Sequence, residues 1–247
     1  IKADGLKKKF DDYTAVSHLD LNISSGQILA LLRPNGAGKT TTLMMFLGLI
    51  KPSGGEVSIF GKPLSSDPFR IKKRLGVMSV SQSCYDDMSA WEYLMFFGRL
   101  YEVEDVEKRA RHLMERVNLW AFRDVYVGGY STGMQRKLAF VRALLHSPDI
   151  LILDEPVSGL DPFGIVQIRE ILNEENANGR TILISSHILS EIERTAPRVG
   201  LIARGRLIFE DSMDRLHQHP SAQRKFDIEL VEVTPEVLSS IRALPFV

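Results

Sequence analysis

Two short stretches of this sequence hold side chains whose types and spacing suit phosphate chemistry. The first is Arg33-Pro34-Asn35-Gly36-Ala37-Gly38-Lys39-Thr40. Gly36 and Gly38 let backbone N–H groups converge on phosphate oxygens, and a helix starting here adds the positive end of its dipole. Lys39 can reach the terminal phosphates, while the Thr40 hydroxyl can ligate Mg²⁺. The second stretch, Ile150-Leu151-Ile152-Leu153-Asp154-Glu155, is an apolar run ending in two carboxylates. Asp154 can hold Mg²⁺ through water, and Glu155 can orient a water that attacks a γ phosphate.

Such groups act only if the chain brings them together, and the surrounding pattern does so. Leu19 to Ile23 alternates apolar and polar, and a turn at Ser24-Ser25-Gly26 leads into a buried apolar strand over 27–32. The glycine-rich turn follows at once, then an apolar helix over 40–50 that Lys51-Pro52-Ser53-Gly54-Gly55 stops. Between about 85 and 127 the pattern is helical: Ser89 and Glu92 form a capping box, and Leu113, Met114 and Val117 keep helical spacing. A strand at 150–153, a helix from Pro162 to Ala177 and a strand at 181–184 come next. Asp161 as N-cap, Pro162 at the first turn and Asn178-Gly179 as the stop punctuate that helix. Strand, helix, strand in this rhythm implies a parallel sheet whose carboxyl ends carry the ligand site. Residues 201–209 read as a hairpin turning at Arg204-Gly205.

Three further segments give the pattern a resemblance. Tyr130-Ser131-Thr132-Gly133-Met134-Gln135, about 20 residues before Asp154, resembles the signature sequence of ABC ATPases. Ser158-Gly159-Leu160-Asp161 resembles their D-loop, and Ser186-His187 their switch histidine. The order of motifs covers roughly residues 5 to 210, and the wording from Tyr130 to Leu138 looks most like the ATPases of ABC-2 type exporters. The resemblance implies an α/β fold: a P-loop (RecA-like) core with a mixed, mostly parallel sheet, an N-terminal antiparallel β subdomain and a helical insert at about 85–145. Residues 1–211 would form this ABC ATPase domain and 212–247 a C-terminal accessory element.

It also implies the site. Asn35, Gly36, Ala37, Gly38, Lys39, Thr40 and Thr41 would bind ATP, with Phe10 stacked on adenine. Ser131, Gly133 and Asp161 would reach the nucleotide of a second ATPase subunit. Lys39, Glu155 and His187 would serve catalysis, and Thr40, Asp154 and Gln82 would hold Mg²⁺. An integral membrane permease would dock beside the helical insert, on a surface drawn from Tyr85, Met88, Trp91, Tyr93, Leu94, Phe97 and Tyr101. About half of that aromatic set is expected in the insert's own core.

Three positions depart from the family pattern: Arg33 replaces the first glycine of the loop, Thr132 replaces a glycine or lysine, and Val80 stands where a glutamine is expected, with Gln82 two residues later. These departures raise a second reading, a regulatory module that holds ATP without turning it over. A non-transport ABC ATPase is a third, though such proteins usually carry two cassettes or a long coiled coil. The intact Glu155 and His187 favour an active ATPase.

Composition narrows the partners. Lys+Arg and Asp+Glu both number 31, so no global charge excess recommends nucleic acid, and none is expected as a partner. The single cysteine, Cys84, fits a reducing compartment and no metal set. The apolar runs fall far short of the roughly 20 residues a spanning helix needs, and no signal-peptide pattern opens the chain. A peripheral position on the cytoplasmic face of the inner or plasma membrane is the expectation.

Overall fold

The computed structural model describes residues 1–32, 39–79, 84–203 and 205–218, with the side chains of Lys39, Thr40 and His217 outside that description. Its elements run β1 (Lys2–Phe10), β2 (Tyr13–Asn22), β3 (Ile28–Leu32), α1 (Lys39–Phe46), β4 (Gly54–Ile59), β5 (Lys62–Pro63), α2 (Pro68–Lys72), β6 (Leu75–Met78), α3 (Ala90–Leu100), α4 (Val106–Arg116), α5 (Thr132–Leu144), β7 (Ile150–Asp154), α6 (Pro162–Ala177), β8 (Thr181–Ser186), α7 (Leu189–Ile192), β9 (Arg198–Ala203), β10 (Arg206–Ser212) and α8 (Met213–Gln218). Residues Ile1–Met213 form one compact unit, and a second begins at Asp214. Of the second, only residues 214–218 are described, so the expected accessory element lies largely outside the described residues.

The strands form a single curled sheet in the order β5-β4-β1-β2-β10-β9-β3-β8-β7-β6. Every residue of β3, β7 and β8 is buried. That is the signature of parallel strands covered on both faces, and β9, β3, β8, β7 and β6 do pair in parallel. The antiparallel half, β1 with β2 and β4, alternates instead: Leu19 and Leu21 point into the core while His18 and Asp20 face solvent. Leu29, Leu31, Phe46, Ile152 and Leu183 belong to one buried cluster that joins the two halves.

Helix punctuation follows the local chemistry. Asp161 accepts the Gly164 N–H at 2.8 Å at the start of α6. Ser89 and Glu92 exchange hydrogen bonds of 3.2 and 2.9 Å in a complete capping box at the start of α3. The expected helix over 40–50 is shorter than its apolar run. It ends at Phe46, because Gly48 turns left-handed at φ +59° and Leu49 N–H bonds back to the Met44 carbonyl.

Basic groups brace the helical insert, both to the sheet and within itself. Arg142 on α5 donates to the Val77 carbonyl on β6 at 2.8 Å and to the Tyr93 hydroxyl on α3 at 3.2 Å. Arg109 on α4 donates to the Leu144 and Leu145 carbonyls at 2.8 and 2.6 Å. His146, just past α5, hydrogen-bonds the Leu75 carbonyl at 3.1 Å and stacks on Tyr101 with ring centroids 4.1 Å apart. Burial pushes its pKa down to about 4, and the nearby Arg109 and Arg142 charges add to the effect. The fold therefore favours neutral His146, whereas the unfolded chain takes up a proton near pH 6.5. Stability should fall as pH drops from about 6.5 toward 4, by up to about 2 kcal/mol once solvent screening is discounted. Urea titrations across that window should show the loss in the wild type and a flatter profile in His146→Gln.

Candidate functional site

Register alone brings four chain segments to one edge. Leu32 pairs with Ser186, Asp154 with Ser185, and Leu153 with Met78. The carboxyl ends of β3, β8, β7 and β6 therefore lie side by side. The stretch leaving β3 runs into α1, whose first residues are Lys39, Thr40 and the half-buried Thr41. Asn35, Gly36, Ala37, Gly38 and Arg33 lie outside the described residues, as do Val80 and Gln82 after β6.

Both acids at the end of β7 are 5% exposed, so each needs partners. Asp154 accepts a hydrogen bond from the Ser185 hydroxyl of β8. Glu155 Oε1 lies 2.9 Å from His187 Nδ1. A carboxylate can only accept, so Nδ1 carries the hydrogen and Nε2 is left to face outward. Ser186 fixes the turn that presents His187: its hydroxyl accepts the Ile188 N–H at 3.0 Å and approaches Glu191 at 3.1 Å.

Glu155 itself takes a left-handed backbone, φ +52°. For a residue with a side chain that costs about 1–2 kcal/mol, and it persists where the surroundings over-determine it. Here the Glu155 N–H donates to the Ser185 carbonyl at 3.0 Å, and its own carbonyl accepts from Arg136 Nη1 at 2.9 Å. Arg136 sits on α5, one turn after Ser131. Ser131 caps that helix by accepting the Met134 N–H at 3.2 Å and is exposed. A Cβ added to Gly133 would stand 3.5 Å from the Gly159 carbonyl, so the start of α5 abuts the turn leading to exposed Asp161.

The matching family model is that of the ABC transporter, over residues 16–158. The chain belongs to the ABC transporter family. It is 38% identical over 229 residues to the bacitracin transport ATP-binding protein BcrA of Bacillus licheniformis, spanning 92% of this chain and 74% of that protein. It superposes on the ATP-binding subunit of an ABC transporter with a TM-score of 0.82 at 28% identity, covering 88% of this chain and 91% of that one. A dimeric ATP-binding cassette bound to ADP and Pi shares the fold with a TM-score of 0.79 at 24% identity, over 86% and 98% of the two chains. The subunit is a P-loop ATPase by this membership.

Other predicted positions sit apart from the carboxylates in this ABC subunit. Phe10 ends β1 opposite Tyr13 across a tight turn at Asp11-Asp12, 44% exposed, with the Lys8 ammonium 4.7 Å from its ring centroid. Of the aromatic surface near α3, Tyr93 and Leu94 are core, Tyr85 is exposed, and Met88, Trp91, Phe97 and Tyr101 are half-buried. Fewer of these are fully buried than the expected half, and exposed Tyr85 stacks over half-buried Phe97. Burial raises the Cys84 thiol pKa, which leaves it a poor nucleophile.

Ser185 and Arg136 escaped sequence reasoning. A serine ending an apolar run was the available signal for Ser185. Arg136 gave none, because its partner is a main-chain carbonyl 19 residues away. Arg136→Ala frees that carbonyl and lets the Glu155 turn relax. We expect ATP turnover to fall about tenfold with ATP affinity held within about twofold. Steady-state kinetics beside calorimetry will read both quantities, and unchanged turnover would separate Arg136 from Glu155 placement.

Proposed function

We propose that this subunit binds Mg-ATP at the carboxyl edge of β3, β7 and β8 and hydrolyses it within a closed pair of ATPase subunits. The observation that carries this reading is the buried set Asp154, Ser185 and Glu155, with the exposed His187 ring against Glu155, beside the segment that enters α1. Lys39 would hold the β and γ phosphates, with the amides of residues 35–41 around them. Mg²⁺ takes hard oxygen ligands, and the Thr40 hydroxyl with the Asp154 carboxylate, backed by Ser185, supplies that donor type. When bound, the ion neutralises charge that develops on the phosphate oxygens. Glu155 would orient the attacking water, while His187, with Nδ1 engaged by Glu155, would present Nε2 to the γ phosphate.

Exposed Ser131 and Asp161 at one ledge support a role across the subunit interface, where Ser131 and Gly133 would cap the nucleotide held by the partner. Phe10, exposed at its hairpin tip, would stack on adenine. Among the described residues no helix is long and apolar enough to cross a membrane. Similarity to transport ATP-binding proteins supports a peripheral subunit on the cytoplasmic face, driving a separate permease of the exporter type whose short helix docks against Tyr85 and the outer face of α3.

Glu155→Gln keeps the shape of the site but removes the charge that orients water. Turnover should drop at least about a hundredfold while ATP binding persists, so an ATP-bound dimer should accumulate. Sizing chromatography with bound-nucleotide analysis reads this directly. A monomer with normal turnover would contradict the role.

A further inference from the structure

His187 leaves the end of β8 on a turn, and a turn must be held if its side chain is to point one way. β8 ends at buried Ser186, His187 and Ile188 are exposed, and the single helical turn of α7 follows. Glu155 grips the imidazole at Nδ1, which fixes the ring but not the main chain that carries it. The Ser186 hydroxyl holds that main chain. Its oxygen accepts the Ile188 N–H at 3.0 Å and so closes a small loop around His187. The same hydroxyl has one hydrogen to donate, and two acceptors compete for it, Glu191 Oε2 at 3.1 Å and the Ile188 carbonyl at 3.2 Å. A carboxylate draws a hydroxyl hydrogen more strongly than a carbonyl does. The two bonds also differ in what they join. A bond to Ile188 begins and ends inside the turn, whereas the bond to Glu191 ties the turn to α7. That helix is itself anchored, because Ile192, next to Glu191, is buried and its carbonyl accepts the Thr195 and Ala196 N–H groups at 2.9 Å.

We propose, on the footing of the γ-phosphate role given to His187 above, that Glu191 is a positioning residue for ATP cleavage. It acts through Ser186 and His187, not on the nucleotide. Two holds meet at His187: Glu155 sets the ring from β7, and Glu191 sets the backbone from α7. With both in place Nε2 has one direction before ATP arrives, so no reorientation is left for the moment of reaction. Loss of Glu191 hands the Ser186 hydrogen to the Ile188 carbonyl, and the turn is then tied only to itself. ATP would be held chiefly by the loop around Lys39, so the loss falls on cleavage and spares binding.

Single-turnover ATP cleavage, with calorimetry of ATP binding on the same samples of the full chain, tests this. Glu191→Ala should slow cleavage about tenfold and hold ATP affinity within about twofold. Glu191→Gln keeps an oxygen acceptor for the Ser186 hydroxyl and should cleave within about threefold of wild type. Ser186→Ala should match the Glu191→Ala loss, and the two together should be no slower than either, because they break one path. In a His187→Ala background, Glu191→Ala should cost less than about a further twofold. A full Glu191→Ala loss in that background would overturn the proposal, since Glu191 would then act elsewhere. So would Glu191→Gln as slow as Glu191→Ala, which would make its charge at the start of α7 the cause, or an ATP affinity that falls in step with the rate. Normal cleavage by Glu191→Ala beside a slow His187→Ala would overturn this inference alone; normal cleavage by His187→Ala would overturn the role of His187 with it.

Discussion

Glu155 leaves β7 with φ +52°, and its main chain is tied on both sides, N–H to Ser185 of β8 and carbonyl to Arg136 of α5. The side chain is 6% exposed and rests against His187. A carboxylate this dry is tolerable only when its neighbours are fixed before any ligand arrives. Those neighbours come from β8, the turn after it and the helical insert, so the geometry of one residue depends on three separately built elements. Strain of about 1–2 kcal/mol at the turn is what those contacts offset.

The parallel core makes this possible. Five strands paired in parallel put their carboxyl ends on one edge, where open α/β sheets bind ligands. The insert is fastened to that core by Arg142 and His146, through bonds to the carbonyls of Val77 and Leu75, while Arg109 ties α4 to the end of α5. A rigid-body shift of the insert would therefore act on two places at once: on β6 through Arg142, and on the Glu155 turn through Arg136. That is a physical route by which events at the proposed docking surface would reach the water-orienting carboxylate proposed above.

Much of this was legible in the sequence, for local reasons. Asp161, Pro162 and Asn178-Gly179 mark the bounds of α6 because capping and turn chemistry act within a few residues. The runs of β3, β7 and β8 read as buried strands because each is apolar throughout. Asp154 and Glu155 stand out from their place at a strand end and His187 through the family resemblance, and register then brings those ends together. Strand order was not legible: β10 lies beside β2, nearly two hundred residues earlier in the chain, through a single residue pair. The end of α1 was misplaced because apolar periodicity continues through Leu47–Ile50 while Gly48 breaks the backbone. Arg136 and Ser185 act through non-local partners, which no spacing rule exposes.

The most direct test is a double-mutant cycle on Glu155 and His187, read in single-turnover ATP cleavage. If the pair works as one unit joined through Nδ1, then once either member is gone the second substitution has little left to remove. We expect Glu155→Gln with His187→Ala to cleave ATP no more than about threefold slower than the slower single variant. Rate losses that multiply, with each substitution acting in full in the absence of the other, would contradict the coupling between Glu155 and His187 on which this site is built.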